Sequence, residues 1–441
     1  MFKKYLEKIV EYGFYLFVFL LPWQTRWLWH EGILNGGYWE YGSFSLYATD
    51  IILLAILFLS LSIRHGKSFV LKSLWVPVIG FWLVCFASIF WSQNKEVSWY
   101  AFIKLTEAIW LFSLILRIKI SWQAIGVAMI SSGLAQAVLG IYQFFSQEVF
   151  SNKWLGLASH QPGVLGDFVI ETVSGRWLKA YGAFPHPNML AGFLVVCLLV
   201  AAGFLLPRSA EKRGKLWLNI LNIVALVTMA FGLVLTFSRS AWLVLTLVFL
   251  LLFAISLWQK NKQRLKITAA IIITMILTAF VSVLIIPEVW QTRLTGGRLE
   301  TMSGSERVEQ YKQSWAMIKD YWYQGTGAGT YTHVLNKLEP ALESWQYQPV
   351  HNIFLLITTE IGIVGGLIFV LIIFRFFQKF ICQFKFQQKD NHWWLAYSMS
   401  FLALLIIGIF DHYLWSLSFG LLFFWLILGL WAKQYLESRA Q

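Results

Sequence analysis

Long, unbroken apolar runs dominate the chain. They recur at roughly 10–29, 46–63, 74–92, 100–117, 124–145, 188–206, 218–237, 240–258, 267–286, 351–374, 393–413 and 415–432. As helices rising about 1.5 Å per residue, runs of this length cross about 30 Å of hydrocarbon. A membrane barrel would need short alternating segments, and these runs are continuous. The pattern predicts an all-α polytopic membrane protein with about twelve transmembrane helices. Helices one to five occupy 1–145, six to nine 188–286, and ten to twelve 351–441. Two long polar connections lie between them, 146–187 and 287–350. In the second, Val308, Tyr311, Trp315 and Ile318 recur at helical spacing, which predicts an amphipathic helix over 305–321 with Ser305 as its cap.

Composition sharpens this reading. Of the 441 residues, 58% are hydrophobic and only 13% charged, about half the charged share of a soluble domain. A soluble globule and a disordered chain are both excluded. Three scattered cysteines, Cys85, Cys197 and Cys382, make neither a disulfide framework nor a zinc site and read as small apolar packing residues. The 24 tryptophans cluster near span ends, where interfacial anchoring wants them. The first run follows Lys3, Lys4 and Lys8 and leads into Trp23, Trp27 and Trp29 instead of a small-residue cleavage site, so it reads as a retained anchor.

The net charge of +13 is distributed by side. With the N-terminus placed inside, 22 of the 35 Lys and Arg fall on inner connections, and every inner connection is basic. The inner cations include Arg64, Lys67, Arg208, Lys212, Arg213, Lys215 and Lys389. This puts both termini in the cytoplasm and both long loops outside. The basicity is then topology and contact with anionic membrane lipid, not nucleic-acid binding.

Several outer-facing polar groups exceed what topology needs. Arg239 stands between two apolar runs in Leu235-Thr236-Phe237-Ser238-Arg239-Ser240-Ala241-Trp242. It reads either as a snorkelling arginine or as a fixed cation for an anionic substrate. Pro185-His186-Pro187-Asn188 opens the sixth span; Asn188 can cap it, or His186 and the helix N-terminus can face an anion, with Arg176 and Lys179 just upstream. His351-Asn352 opens the tenth span, and a neutral imidazole there can take a proton from an attacking hydroxyl. Glu360 follows nine residues later and is expected to face protein. Asp411-His412 ends the eleventh span, and Asp411 is expected to pair with an outer arginine. Gly325-Thr326-Gly327-Ala328-Gly329 has neither the preceding strand nor the following lysine of a nucleotide loop, and is expected to let a turn approach the membrane or a sugar. HExxH, GxxxxGK[ST], Asp-x-Asp and GxSxG are all missing from the sequence. The outer constellation is therefore rich in arginine and histidine and suits chemistry on an anionic leaving group without a metal.

Four stretches together resemble the O-antigen ligase family of bacterial polytopic membrane proteins. They are Gly175-Arg176 through Gly182-Ala183-Phe184-Pro185-His186-Pro187-Asn188; Thr236 through Trp242; Arg307 with Trp315 and the glycine run; and His351-Asn352 through Glu360-Ile361-Gly362 to Gly365. The likeness covers about 175–370. It departs before the glycine run, where the family often has a proline and this chain has Tyr321-Trp322-Tyr323-Gln324.

The resemblance implies metal-free, cofactor-free glycosyl transfer, inverting by displacement, at the outer face of the cytoplasmic membrane. The donor would be a glycan on undecaprenyl diphosphate. The acceptor would be a sugar hydroxyl on a lipid-linked core or another glycan. O-antigen polymerases and protein O-oligosaccharyltransferases share the superfamily, and a lipid-linked glycan flippase or a scaffold is the alternative from another class. By resemblance, Arg239 and His351 are catalytic. Arg176, Arg307, His186, Asn188 and Asn352 bind substrate, while Asp411, Gly325, Gly327 and Gly329 support the site.

Overall fold

A computed structural model describes residues 2–63, 72–205, 216–296, 298–386 and 392–440. Among them, ten helices are long and apolar enough to cross a membrane. These are α3 (Lys72–Ser88), α4 (Lys95–Arg117), α5 (Trp122–Ser146), α6 (Pro187–Leu205), α7 (Leu216–Leu235), α8 (Arg239–Trp258), α9 (Lys262–Ile285), α13 (Ile353–Phe386), α14 (His392–Phe410) and α16 (Ser418–Ala440). They correspond to the last ten expected spans. The first two differ. α1 (Phe2–Leu20) carries three lysines and two glutamates in its first half, and α2 (Ala48–Leu61) has 14 residues, about 21 Å of helix. The inner cations Arg64, Lys67, Arg208, Lys212, Arg213, Lys215 and Lys389 lie outside the described residues.

The first apolar run does not stay helical to residue 29. Pro22 cannot donate a helical hydrogen bond, and the chain turns at Leu20, where the Trp23 N–H donates to the Leu20 carbonyl at 3.0 Å. Trp27 to Trp29 then lie in strand β1 (Arg26–His30), followed by β2 (Ile33–Leu34), β3 (Gly37–Tyr38) and β4 (Phe44–Tyr47). β1 pairs antiparallel with β4 and β2 with β3, while β5 (Val169–Thr172) pairs with β6 (Gly175–Leu178). The chain is thus helical with small strand pairs at one end, not purely α. Residues 21–47 form a third substantial connection there.

The helices differ in enclosure. α16 has 94% of its spanning window buried and α6 83%, whereas α9 has 17%. α6, α14 and α16 form the centre, and α9 turns Ile273, Ile276, Leu277, Phe280 and Leu284 outward, as lipid requires. Small residues let the central helices close. A Cβ at Gly192 would stand 2.0 Å from the Tyr413 hydroxyl.

The three long connections interlock over one end of this bundle. Asn35 Nδ2 donates to the carbonyls of Pro340 and Leu342, both at 2.8 Å. The Thr25 hydroxyl donates to Trp154 O at 2.8 Å, and both the Ser174 N–H and hydroxyl donate to Glu288. The last connection is itself helical: α10 (Pro287–Thr295), α11 (Arg298–Asp320) and α12 (Tyr331–Leu338), with a short α15 (Tyr413–Ser416) after α14.

α11 begins seven residues before Ser305, so Ser305 is no cap; its hydroxyl donates to Met302 O within the helix. Only part of the expected apolar stripe is packed: Tyr311 joins a buried cluster around Met317. Val308 and Trp315 are each 55% exposed, while Ser314 and Met317 are buried. The inward edge sets Met317 and Tyr311 against Tyr331, Val334, Leu335 and Tyr347 of that cluster, and adds polar contacts beside it. Ser314 meets the Tyr331 hydroxyl at 3.0 Å, and Gln313 donates to Glu339 at 2.7 Å.

The glycine run packs on protein, not on membrane or sugar. α13 breaks at Ile361 and Gly362, where Gly362 has φ 73° and ψ 177°. The freed carbonyl of Glu360 accepts the Gly327 N–H at 2.8 Å, and its carboxylate accepts the N–H groups of Gly329 and Tyr331 and the Trp415 indole. A Cβ at Gly325 would stand 2.3 Å from Glu360 O. Both Gly362 conformation and contact exclude a side chain, since its Cβ would fall 2.0 Å from Tyr323 O. Gly362→Ala is therefore expected to destabilise the protein by on the order of 3 kcal/mol, read as a lowered melting temperature in detergent. Gly80→Ala, with its nearest neighbour at 3.8 Å, should leave it unchanged; equal melting of the two variants would refute this account of the break.

Candidate active site

The turn from α7 into α8 builds one wall of the site. Phe237 sits at φ 49°, in the left-handed region, which costs a non-glycine residue about 1–2 kcal/mol. An aromatic cage holds it there. Its ring packs 5.6 Å from Trp290, 6.0 Å from Trp242 and 6.0 Å from Phe144. Its carbonyl accepts Arg293 Nη2 at 2.6 Å. The reversal brings Ser238, Arg239 and Ser240 to the N-terminus of α8, where backbone N–H groups and the helix dipole favour an anion.

These residues open onto a cleft of about 310 Å³ at the end of the bundle that carries the long connections. Lys179, Arg239, Arg293 and Arg307 line it, opposed by one carboxylate, Glu306. His186, Asn188, Gln310 and His351 form another part of its lining. Arg239 and His351 thus share one cavity. Among the described residues, no ion pair or side-chain hydrogen bond engages the guanidinium of Arg239 or Arg307.

Beside the cleft lies a polar cluster around Asp411. Asn188 Nδ2 donates to its Oδ2 at 2.9 Å, and the His412 N–H donates to its Oδ1 at 2.8 Å. The carboxylate partner is therefore an amide, not the expected outer arginine. Asn188 does not cap α6 with its side chain, which is spent on Asp411. Instead the Asn188 N–H donates to His186 Nδ1 at 2.9 Å, which leaves the His186 proton on Nε2. The His351 and His412 rings meet edge to face at 4.9 Å, and His412 Nδ1 bonds the Ser416 hydroxyl at 2.7 Å.

His351 has a defined tautomer. Gln310 Oε1 lies 2.7 Å from its Nδ1 and 3.4 Å from its backbone nitrogen. A backbone N–H can only donate, so the Gln310 atom facing both is the carbonyl oxygen. Nδ1 then carries the proton, and Nε2 presents a basic lone pair. Burial holds His351 below the ordinary imidazole range; Asp411 opposes this shift and Arg307 adds to it. Burial likewise pushes His412 down to about 3. Asp411 is buried too, which works against its charge, but His351, His412, His186 and the Asn188 hydrogen bond outweigh this and hold it below the usual carboxylate range.

Two expected substrate ligands stand elsewhere. Arg176 faces Glu171 across the β5–β6 pair, Nε to Oε1 at 3.8 Å, and Lys179 occupies the cleft instead. Asn352 caps α13, its Oδ1 accepting the N–H groups of Phe354 and Leu355 at 2.9 and 3.1 Å. Arg293 and Gln310 escaped the sequence reading. Gln310 was within reach of it, since it lies three residues after Arg307 and shares its helix edge. His351, Asp411 and His412 put ligating atoms within 4.8 Å of one another, a donor set that suits a divalent transition metal, although both Asp411 oxygens already accept N–H groups.

A bundle of membrane-length helices carrying this histidine-bearing cleft defines a multi-pass membrane protein with a cationic cavity at one end. Residues 224–370 match the model of the family described as O-Antigen ligase. Through that segment, a third of the chain, it is similar to the O-antigen ligase family of polysaccharide biosynthesis. The segment holds Arg239, Arg293, Arg307, Gln310, His351 and the glycine run with Glu360; His186, Asn188 and Asp411 come from outside it. No curated protein is similar enough to the chain to count as a match.

A charged hydrogen bond contributes about 1.5–3 kcal/mol. Arg239→Ala and Arg307→Ala should each weaken binding of inorganic pyrophosphate by roughly tenfold or more, by calorimetry on the purified protein. Arg176→Ala should bind it as the wild type does. Equal weakening by all three would show that general surface charge, not the cleft, attracts the anion.

Proposed function

We propose that the protein transfers a glycan from undecaprenyl diphosphate to a sugar hydroxyl, on a lipid-linked core or another glycan, at the outer face of the cytoplasmic membrane. One observation carries this reading: two unpaired guanidinium groups and an imidazole with its Nε2 lone pair free of Gln310 border the same cleft. Basic inner connections support the placement of the cleft outside and of both termini inside.

Attack at the anomeric carbon expels a diphosphate, on which negative charge grows. Guanidinium groups fixed beside it stabilise that charge more in the transition state than in the ground state. Arginine suits the task through its planar fork and permanent charge. Arg239 and Arg307 hold the diphosphate, with Arg293, Lys179 and the α8 N-terminus behind them. His351 Nε2 accepts the proton of the attacking hydroxyl. Attack opposite the leaving group inverts the anomeric centre. Ligase, polymerase and protein O-oligosaccharyltransferase differ only in the hydroxyl that attacks, and the ligase reading follows the matched family.

His351→Ala should keep donor binding yet slow transfer by about 10²-fold or more, measured with a defined undecaprenyl diphosphate glycan; full activity would remove the general base. The pH profile gives a second test. His351 works when neutral, so kcat/KM falls as pH drops through its pKa, which lies below the ordinary 6.5. Gln310→Glu sets a carboxylate against Nδ1 and favours the charged ring. Its acid limb should move to higher pH, whereas an unmoved limb would separate Gln310 from the base.

A further inference from the structure

Part of the cleft lining has no role in the proton and diphosphate chemistry above. Trp345 and Gln348 border the cleft, on the stretch of chain that runs into His351. Trp345 is 53% exposed. Among the described residues, no other ring packs on the Trp345 ring and no hydrogen bond engages its indole N–H. Other tryptophans at this end are spent on the fold. Trp290 stacks on Trp242 at 5.2 Å, and the Trp415 indole donates to Glu360 at 2.7 Å.

The mount of this ring is rigid. Trp345 is the middle residue of a short 3₁₀ turn, Ser344–Gln346. Glu343 and Gln346 cap the turn reciprocally, with the Glu343 N–H donating to Gln346 Oε1 at 2.8 Å. Ser344 seats against Gly37, where a Cβ would fall 2.1 Å from the serine hydroxyl oxygen. Tyr347 is buried, and its hydroxyl donates to Glu339 O at 2.7 Å and accepts Asn35 Nδ2 at 2.9 Å. A ring fixed in this way loses little freedom when a ligand lies on it. Its surroundings do not suit a lipid anchor, which needs apolar neighbours on the hydrocarbon side. The exposed residues flanking the turn are Glu343 and Gln346.

We propose that Trp345 is a carbohydrate platform, on which a pyranose ring of a reacting glycan stacks by its C–H face while Gln348 bonds its hydroxyls. The class of ligand rests on the transfer reading above. A pyranose has an apolar face of C–H groups and a rim of hydroxyls. The negative face of an indole suits the first, and an amide that both donates and accepts suits the second. Gln348 Nε2 donates to Trp345 O at 3.3 Å, while its Oε1 is without a partner among the described residues. Trp345, His351, Arg239 and Arg307 line one cavity, so a ring seated on the indole stands in the chamber that holds the base and the cations. Two glycans offer such a ring: the donor sugar beside the diphosphate, and the acceptor sugar that carries the attacking hydroxyl.

The test is calorimetric binding to the full-length protein in detergent. Three probes are used: undecaprenyl diphosphate carrying a glycan, bare undecaprenyl diphosphate, and a purified lipid-linked core oligosaccharide. Trp345→Ala should weaken at least one of the two glycan probes by about five- to tenfold and leave the bare diphosphate within about twofold of wild type. Weakening of the first assigns the platform to the donor sugar, and weakening of the core oligosaccharide assigns it to the acceptor. Trp345→Tyr keeps a flat aromatic face and should retain most of the affinity, whereas Trp345→Leu keeps only apolar bulk and should behave as alanine does. Unchanged binding of both glycans by Trp345→Ala would overturn the platform. So would wild-type affinity in Trp345→Leu, or equal loss on all three probes. A wild type that binds glycan through Trp345 yet moves none to an acceptor would refute the transfer reading and leave the platform standing. A wild type that binds neither glycan would overturn both.

Discussion

Uncompensated positive charge in the cleft is the constraint on which the site depends. Carboxylates near the cleft could have neutralised Arg239 and Arg307, and most are committed elsewhere. Asp411 is held by Asn188 and the His412 amide, Glu171 faces Arg176, Glu288 accepts two bonds from Ser174, and Glu360 is spent on the glycine run and Trp415. Both guanidinium groups therefore keep their full charge for an incoming anion. On the proposed reaction that anion is the diphosphate, so binding energy and transition-state stabilisation would come from the same groups.

That arrangement needs rigid support, because guanidinium groups stabilise developing charge only if they do not reorganise. The fold provides it by locking irregular backbone between regular helices. Phe237 is kept in a left-handed conformation by three aromatic neighbours and Arg293. The broken α13 is clamped by the glycine run through Glu360. Each device sets the start of a helix or a break within one. The apolar bundle below acts as the frame that fixes where those helix ends stand.

Much of this was legible in the sequence, and the rest failed for identifiable reasons. Hydropathy located ten membrane-length helices because lipid leaves little choice to an apolar run. It misjudged residues 21–29, where Pro22 ends a helix that the tryptophans seemed to continue. It also set the packed face of α11 too far round, because Met317 and Tyr311 pack inward together and leave Val308 and Trp315 outside. Motif likeness brought forward Arg239, Arg307, His186 and His351, which line one cleft. It could not separate Arg176 from Lys179, three residues apart, because the pairing register of a short strand pair decides which one is tied to Glu171. Asn352 and Asn188 looked like ligands because a cap and a ligand use the same amide. Only the fold shows one bonded to its own helix and the other to Asp411.

The most direct measurement is a cryo-EM structure of the protein in lipid nanodiscs with a non-transferable undecaprenyl diphosphate glycan analogue. The account requires the diphosphate density to lie against Arg239 and Arg307, with the first sugar turned toward His351 Nε2. A diphosphate held at the opposite end of the bundle, or bound away from both arginines, would contradict it.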